Sequence, residues 1–156
     1  MESGGGQALF AFVRYWSRRW TGADPDRGRD VLALEAVRAL SARLGAPPSV
    51  NDVAHELGLD QSGASRLLSR AERLGLLARR SARGVGAATT VTVTPPGEEL
   101  LRQAHAWQDE VLAELTAGWP DEDVRTLVAL MSRLIEGQSG YGRGWEPSAD
   151  SARSSE

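Results

Sequence analysis

From Gln7 to Trp20 the apolar residues Leu9, Phe12, Val13, Trp16 and Trp20 recur at the three- and four-residue steps of one helical stripe. Residues 21–29 hold Gly, Pro and Asp and read as a connecting loop. Asp30 is placed to cap a second helix, in which Val31, Leu34, Val37, Ala39, Leu40 and Leu44 supply the buried contacts. Gly45 followed by Pro47-Pro48 ends it. Two short helices come next with little between them. Ser49 and Asp52 form a Ser-x-x-acid helix start, and Val53, Ala54 and Leu57 form the apolar face behind it. Gly58 stops that helix and Asp60 caps the next, which runs to about Leu74 with Ala64, Leu67, Leu68 and Ala71 facing inward.

After Gly75 the period changes. Arg79 to Gly86 is polar and contains Gly, and Thr89 to Thr94 is a β-branched run with strand-like alternation, so the pair predicts a β-hairpin. Pro95-Pro96-Gly97-Glu98 opens a long helix with the stripe Leu100, Leu101, Ala104, Trp107, Val111, Leu112 and Leu115. Gly118-Trp119-Pro120 breaks the chain. Asp121 then caps a last helix whose face is Val124, Leu127, Val128, Met131, Leu134 and Ile135. Residues 1–6 are Gly-rich and expected to be flexible, and 138–156 are rich in Gly, Ser, Pro and charge, the composition of a disordered tail. The fold class is therefore mainly α with a small β-hairpin.

Composition narrows the function. There is no cysteine, which removes disulfides, thiolate metal sites and thiol redox chemistry. The two histidines, His55 and His105, lie far apart and show no metal-ligand spacing. Gly-rich phosphate loops and Gly-x-Ser-x-Gly nucleophile turns are absent, and the acid pairs sit at helix starts, where the helix dipole accounts for them. A cofactor-free binding protein is expected, not an enzyme. No apolar run is long enough to span a bilayer and the N-terminus lacks a signal-peptide pattern, so a cytoplasmic location is expected.

Charge is unevenly spread. The net charge is −3. Yet residues 60–83 carry six arginines against Asp60 and Glu72, a local net of +4, while the chain from Pro95 onward has twelve acids against five arginines, a net of −7. A basic centre beside an acidic flank suits a protein with one DNA-facing surface. The basic centre coincides with the two short helices and their turn at Gly58-Leu59, a helix-turn-helix pattern. In such a motif the start of the second helix reaches base edges. Those residues here are Gln61, Ser62, Gly63, Ser65 and Arg66. Gln suits adenine, Arg suits guanine, and Gly63 lets backbone approach. Arg70, one turn on, is expected at phosphate, with Arg79 and Arg80 of the hairpin completing the surface.

At this point a resemblance becomes visible. SVNDVAHELGLDQSGASRLLSRAERLGLLARR (49–80), VTVTPPGEELL (91–101) and WPDEDVRTLVALMSRLIEG (119–137) are similar to the MarR family of transcriptional regulators, over roughly residues 7–137. The resemblance implies a winged helix-turn-helix lobe at 30–94, dimerisation helices at 7–20 and 95–136, and a homodimer on a pseudo-palindromic double-stranded DNA operator, usually as a repressor. One departure matters. The family's wing usually carries Asp-x-Arg, whose Arg enters the minor groove. Those positions fall near Val85 to Ala87 here, and Arg83 is the nearest substitute. The resemblance also implies a small aromatic or anionic ligand between the dimer helices and the DNA-binding lobe, for which Trp16, Trp20, Trp107 and Arg19 are the candidates. Independently, the apolar stripes at 7–20, 95–117 and 121–136 lie outside the central motif in chain order, and pairing with a second copy would bury them. The competing function is a winged-helix protein–protein interaction module without DNA binding.

Overall fold

The computed structural model describes residues 4–17, 19, 24–81 and 88–138. Among these residues six helices and one two-stranded antiparallel sheet follow in the order α1 (Gly5–Trp16), α2 (Pro25–Leu44), α3 (Val50–Leu57), α4 (Gln61–Arg73), β1 (Leu77–Ser81), β2 (Thr89–Val93), α5 (Pro95–Leu115) and α6 (Asp121–Gln138). The chain divides into two compact units, one through Glu110 and the other from Val111. No described helix is long and apolar enough to cross a membrane.

The first unit is built around α2. Its Ala33, Leu34, Ala36, Val37 and Leu40 pack with Val53 of α3, Leu68 and Ala71 of α4, Leu77 and Val91 of the sheet, and Leu101 of α5. Leu34, Leu68 and Leu101 are fully buried, and each such side chain contributes about 1.5–3 kcal/mol of transfer free energy. The inward faces of α3 and α4 thus hold the helix-turn-helix against one shared core.

Helix starts follow the sequence pattern with one correction. Ser49 and Asp52 make a full capping box: the Ser49 hydroxyl accepts from the Asp52 N–H at 3.2 Å, and Asp52 Oδ2 accepts from the Ser49 N–H at 2.7 Å. Asp60 Oδ1 accepts from the Gly63 N–H at 2.6 Å and caps α4. Asp30, expected to cap α2, does not. The cap lies six residues earlier, where Asp24 accepts from the N–H groups of Asp26 and Arg27 and Pro25 occupies the first turn. Asp30 is left inside α2, 5% exposed. At the N-terminus Gly5 and Gly6, expected in the flexible stretch, already belong to α1, which ends at Trp16.

The hairpin pairs Leu77 with Val93 through Ser81 with Thr89. It is tied to the helices from two sides. The Val91 N–H donates to the Pro48 carbonyl at 2.9 Å, and Ser49 bridges Thr90. At its exit the Thr94 hydroxyl donates to the Gly75 carbonyl at 2.6 Å and accepts from the Gly97 N–H at 3.3 Å. Gly97 is buried there, where a Cβ would run into the Leu76 carbonyl oxygen and lie 2.8 Å from Val93 Cγ1. The hairpin tip, with the expected Arg83, lies outside the described residues, as do Trp20 and all but the first residue of the expected disordered tail; that residue, Gln138, closes α6.

In the second unit, the end of α5 is followed by a turn in which Gly118 has φ +82° and the Trp119 N–H donates to the Thr116 carbonyl at 2.9 Å. Asp121, Glu122 and Asp123 fill the first turn of α6, complementing its dipole.

Candidate nucleic-acid interface

The turn between α3 and α4 depends on Gly58, whose φ of +63° is the left-handed conformation that glycine adopts at least cost. It reverses the chain so that α4 presents its Ala64, Leu68 and Ala71 side to the core. A helix advances about 100° per residue, so the opposite side carries positions 62, 65, 66, 69 and 73. Ser62, Ser65, Arg66, Ser69 and Arg73 do line one shallow, open groove. A continuous polar face with two cations and three hydroxyls offers charge for phosphates and adaptable donors and acceptors for base edges.

The sequence-derived candidates divide on this surface. Ser62, Ser65 and Arg66 share the groove, and Gln61 is exposed at the start of α4. Gly63 is half-buried and serves the cap: its N–H meets Asp60 Oδ1, and a Cβ would lie 2.7 Å from that oxygen. Ser69 and Arg73 were not among the expected residues, although the spacing 62, 66, 69 and 73 marks one helical face.

Arg70 and Arg79 are committed elsewhere. Arg70 Nε donates to Asp30 Oδ1 at 2.9 Å and Nη2 to Oδ2 at 3.3 Å, a two-pronged pair with an almost buried carboxylate. Nη1 lies 3.4 Å from Asp26. The hydrogen bond to Asp30 pushes the guanidinium pKa further up, so Arg70 stays charged throughout. Arg79 follows the two-residue period of its strand onto the face of Leu77, which is buried. There its Nη2 donates to the Ser65 carbonyl at 2.8 Å and to the Ser69 hydroxyl at 2.9 Å. Its buried Nε sits 3.4 Å from Glu72 Oε2, within ion-pair range but outside hydrogen-bond geometry. Arg80 alternates to the other face and is exposed. Among the described residues, Arg66, Arg73 and Arg80 make no ion pair, whereas Arg70 and Arg79 do.

Of the described ligand candidates, Trp16 closes α1, Arg19 follows its end, and Trp107 lies on α5. Trp16 makes an edge contact with Tyr15, centroids 5.5 Å apart, and a tilted one with Phe12 at 6.3 Å. The Arg19 guanidinium stacks 4.0 Å over the Tyr15 ring and donates to the Tyr15 carbonyl at 2.8 Å. Tyr15, absent from the sequence-derived set, is thus the hub of this cluster. Trp107 on α5 is 39% exposed. His105 pairs its Nε2 with Glu35 Oε1 at 2.6 Å, joining α5 to α2.

Comparison with known proteins agrees with this arrangement. Residues 32–87 match the model of the MarR family. No curated protein matches the chain. Among solved structures, a MarR family transcriptional regulator from Silicibacter pomeroyi is 20% identical with a TM-score of 0.63, over 89% of this chain and 92% of that one. BpsR of Bordetella bronchiseptica, whose DNA binding is described as regulated by 6-hydroxynicotinic acid, is 17% identical with a TM-score of 0.54, over 82% and 98%. A variant of Staphylococcus aureus MepR bound to an oligodeoxyribonucleotide is 16% identical with a TM-score of 0.52, over 87% and 99%. Residues 32–87 therefore carry the sequence signature of the MarR family, and most of the chain shares the winged helix fold of its solved members.

Proposed function

We propose that this chain is a sequence-specific double-stranded DNA-binding transcriptional regulator, working as a homodimeric repressor that a small ligand releases. The observation that carries the reading is the outer face of α4, where Ser62, Ser65, Arg66, Ser69 and Arg73 line one groove next to a hairpin that leaves Arg80 exposed. A helix of this shape and polarity fits a major groove, and a flanking hairpin fits the backbone beside it. The likeness to a MepR variant solved with an oligonucleotide supports DNA as the partner. The likeness to BpsR supports a small-molecule effector, for which the Tyr15, Trp16 and Arg19 cluster supplies aromatic faces and a cation.

The dimer has its own support. Neither α1 nor α6 has a buried residue, and Leu9, Phe10, Phe12 and Val13 of α1 with Val128, Leu130, Met131 and Leu134 of α6 are exposed. Apolar surface of this extent calls for a partner, and a second copy supplies one.

An electrophoretic shift assay on the DNA upstream of the chain's own gene, run across a salt series, tests the proposal. Binding that weakens steeply with salt is the expected result. No duplex binding at low salt would favour a protein–protein interaction module instead. Sedimentation should show a dimer that Phe12→Asp together with Leu134→Asp dissociates. A wild-type monomer at micromolar concentration would remove the homodimer.

A further inference from the structure

The groove face of α4 is bracketed by two arginines whose guanidiniums are taken up by groups of the protein itself. On one flank Arg70 ties α4 to the buried Asp30 of α2. On the other Arg79 reaches from β1 to the Ser65 carbonyl and the Ser69 hydroxyl. Between the brackets lie Arg66 and Arg73, exposed in the same groove and without an ion pair among the described residues.

We infer that Arg70 and Arg79 are positioning residues that fix the rotation and seating of α4, and that Arg66 and Arg73 are the helix cations that touch DNA. The inference rests on the proposed DNA-binding reading and sharpens it. An amphipathic helix seated on alanines has little side-chain bulk to set its rotation, and Ala64 and Ala71 are two of its three buried residues. A forked guanidinium on one flank and, on the other, a single Nη2 that bridges two acceptors, the two anchored to different elements, supply what those small residues do not. Arg79 has a second effect. It bonds a backbone carbonyl in the first half of α4, so displacing the hairpin strand displaces the groove. The hairpin and the helix therefore move as one reading head.

Arginine and lysine differ in the way the test needs. A phosphate contact requires a cation, which lysine supplies, whereas the Arg70 fork requires the guanidinium geometry and the Arg79 bridge requires the reach of Nη2, which the shorter lysine lacks. Affinity is measured for a labelled mixed-sequence duplex of about 30 base pairs, roughly three helical turns, across a salt series. Arg66→Gln and Arg73→Gln should each reduce the slope of log affinity against log salt by about 1. Arg66→Lys and Arg73→Lys should keep the slope. Arg70→Lys and Arg79→Lys should lower affinity, by about tenfold for each direct DNA contact that the misplaced face loses, with the slope unchanged. Wild-type affinity in Arg70→Lys and Arg79→Lys, or an unchanged slope in Arg73→Gln, would overturn the inference.

A second measurement needs no variant and so does not depend on folding. Phenylglyoxal labelling of the wild-type protein, read by mass spectrometry, should show Arg66 and Arg73 protected by the duplex. Arg70 and Arg79 should react equally slowly with and without it. Protection of Arg70 or Arg79 by DNA, or continued reactivity of Arg73, would count against the assignment. Failure of the wild-type protein to bind any duplex at low salt is a separate result, and it overturns the DNA-binding reading together with this one.

Discussion

The α-carbon of Gly97 packs so closely against the carbonyl oxygen of Leu76 that a methyl group has no place between them. This contact locks the start of α5 onto the strand exit beneath it, beside Leu34 of the core. Gly97→Ala should therefore destabilise the protein by about 1–3 kcal/mol, the cost of overpacking a filled site. A urea titration would show the midpoint falling with little change in slope. An unchanged midpoint would mean that the helix start yields more readily than its contacts indicate.

The Asp30–Arg70 pair should be asymmetric. Asp30 is almost buried, and Arg70→Ala strands its carboxylate without a partner. Asp30→Ala leaves Arg70 one-third exposed and still near Asp26, so water and a second carboxylate can satisfy it. Thermal melts should show Arg70→Ala less stable than Asp30→Ala, with the double variant above Arg70→Ala. The reverse order would show that the pair does not bear on α4 as described.

The capping box at α3 makes part of the stability depend on pH. The Ser49 hydroxyl, and then its N–H, hold the Asp52 carboxyl below the ordinary carboxylate value. A depressed native value means that the contribution is complete above the unfolded value of about 4 and fades as pH falls through the native one. The stability gap between the wild type and Asp52→Asn should be constant from pH 7 to about 5 and shrink on acidification below about 4. A gap that grows in acid would contradict the sign.

Asp60 should couple stability to binding. Asp60→Ala removes the acceptor for the Gly63 N–H at the start of α4, at a cost of about 1 kcal/mol. Because that first turn carries Gln61 and Ser62, the variant should also lose DNA affinity while keeping the salt slope. Gly63→Ala should show the same pattern, since its methyl would crowd the cap.

Local signals carried much of the architecture. The capping pattern at Ser49 and Asp52, the stop at Gly58 and the cap at Asp60 each depend on a few neighbouring residues, and each forms as the sequence predicts. The start of α2 is masked in the sequence because the Gly, Pro and Asp of residues 21–29 resemble a loop, although Asp24-Pro25 is itself a strong helix start. Arg70 and Arg79 looked like surface cations because their partners lie forty and fourteen residues away in the chain. Spacing alone could have separated Arg73, which shares a face with Arg66, from Arg70, which is turned toward its flank. Pairing with Asp30 is a tertiary fact that no local pattern encodes.

The bracketed face of α4 also divides the chain into what can be exchanged and what cannot. Arg79 grips a backbone carbonyl at Ser65 and a hydroxyl at Ser69, whereas residues 62, 66 and 73 owe nothing to the core. On the proposed DNA-binding reading, a library confined to those three positions would change the sequence that is read without rebuilding the scaffold. One extended to 69, 70 or 79 would yield mostly clones that have lost their aim.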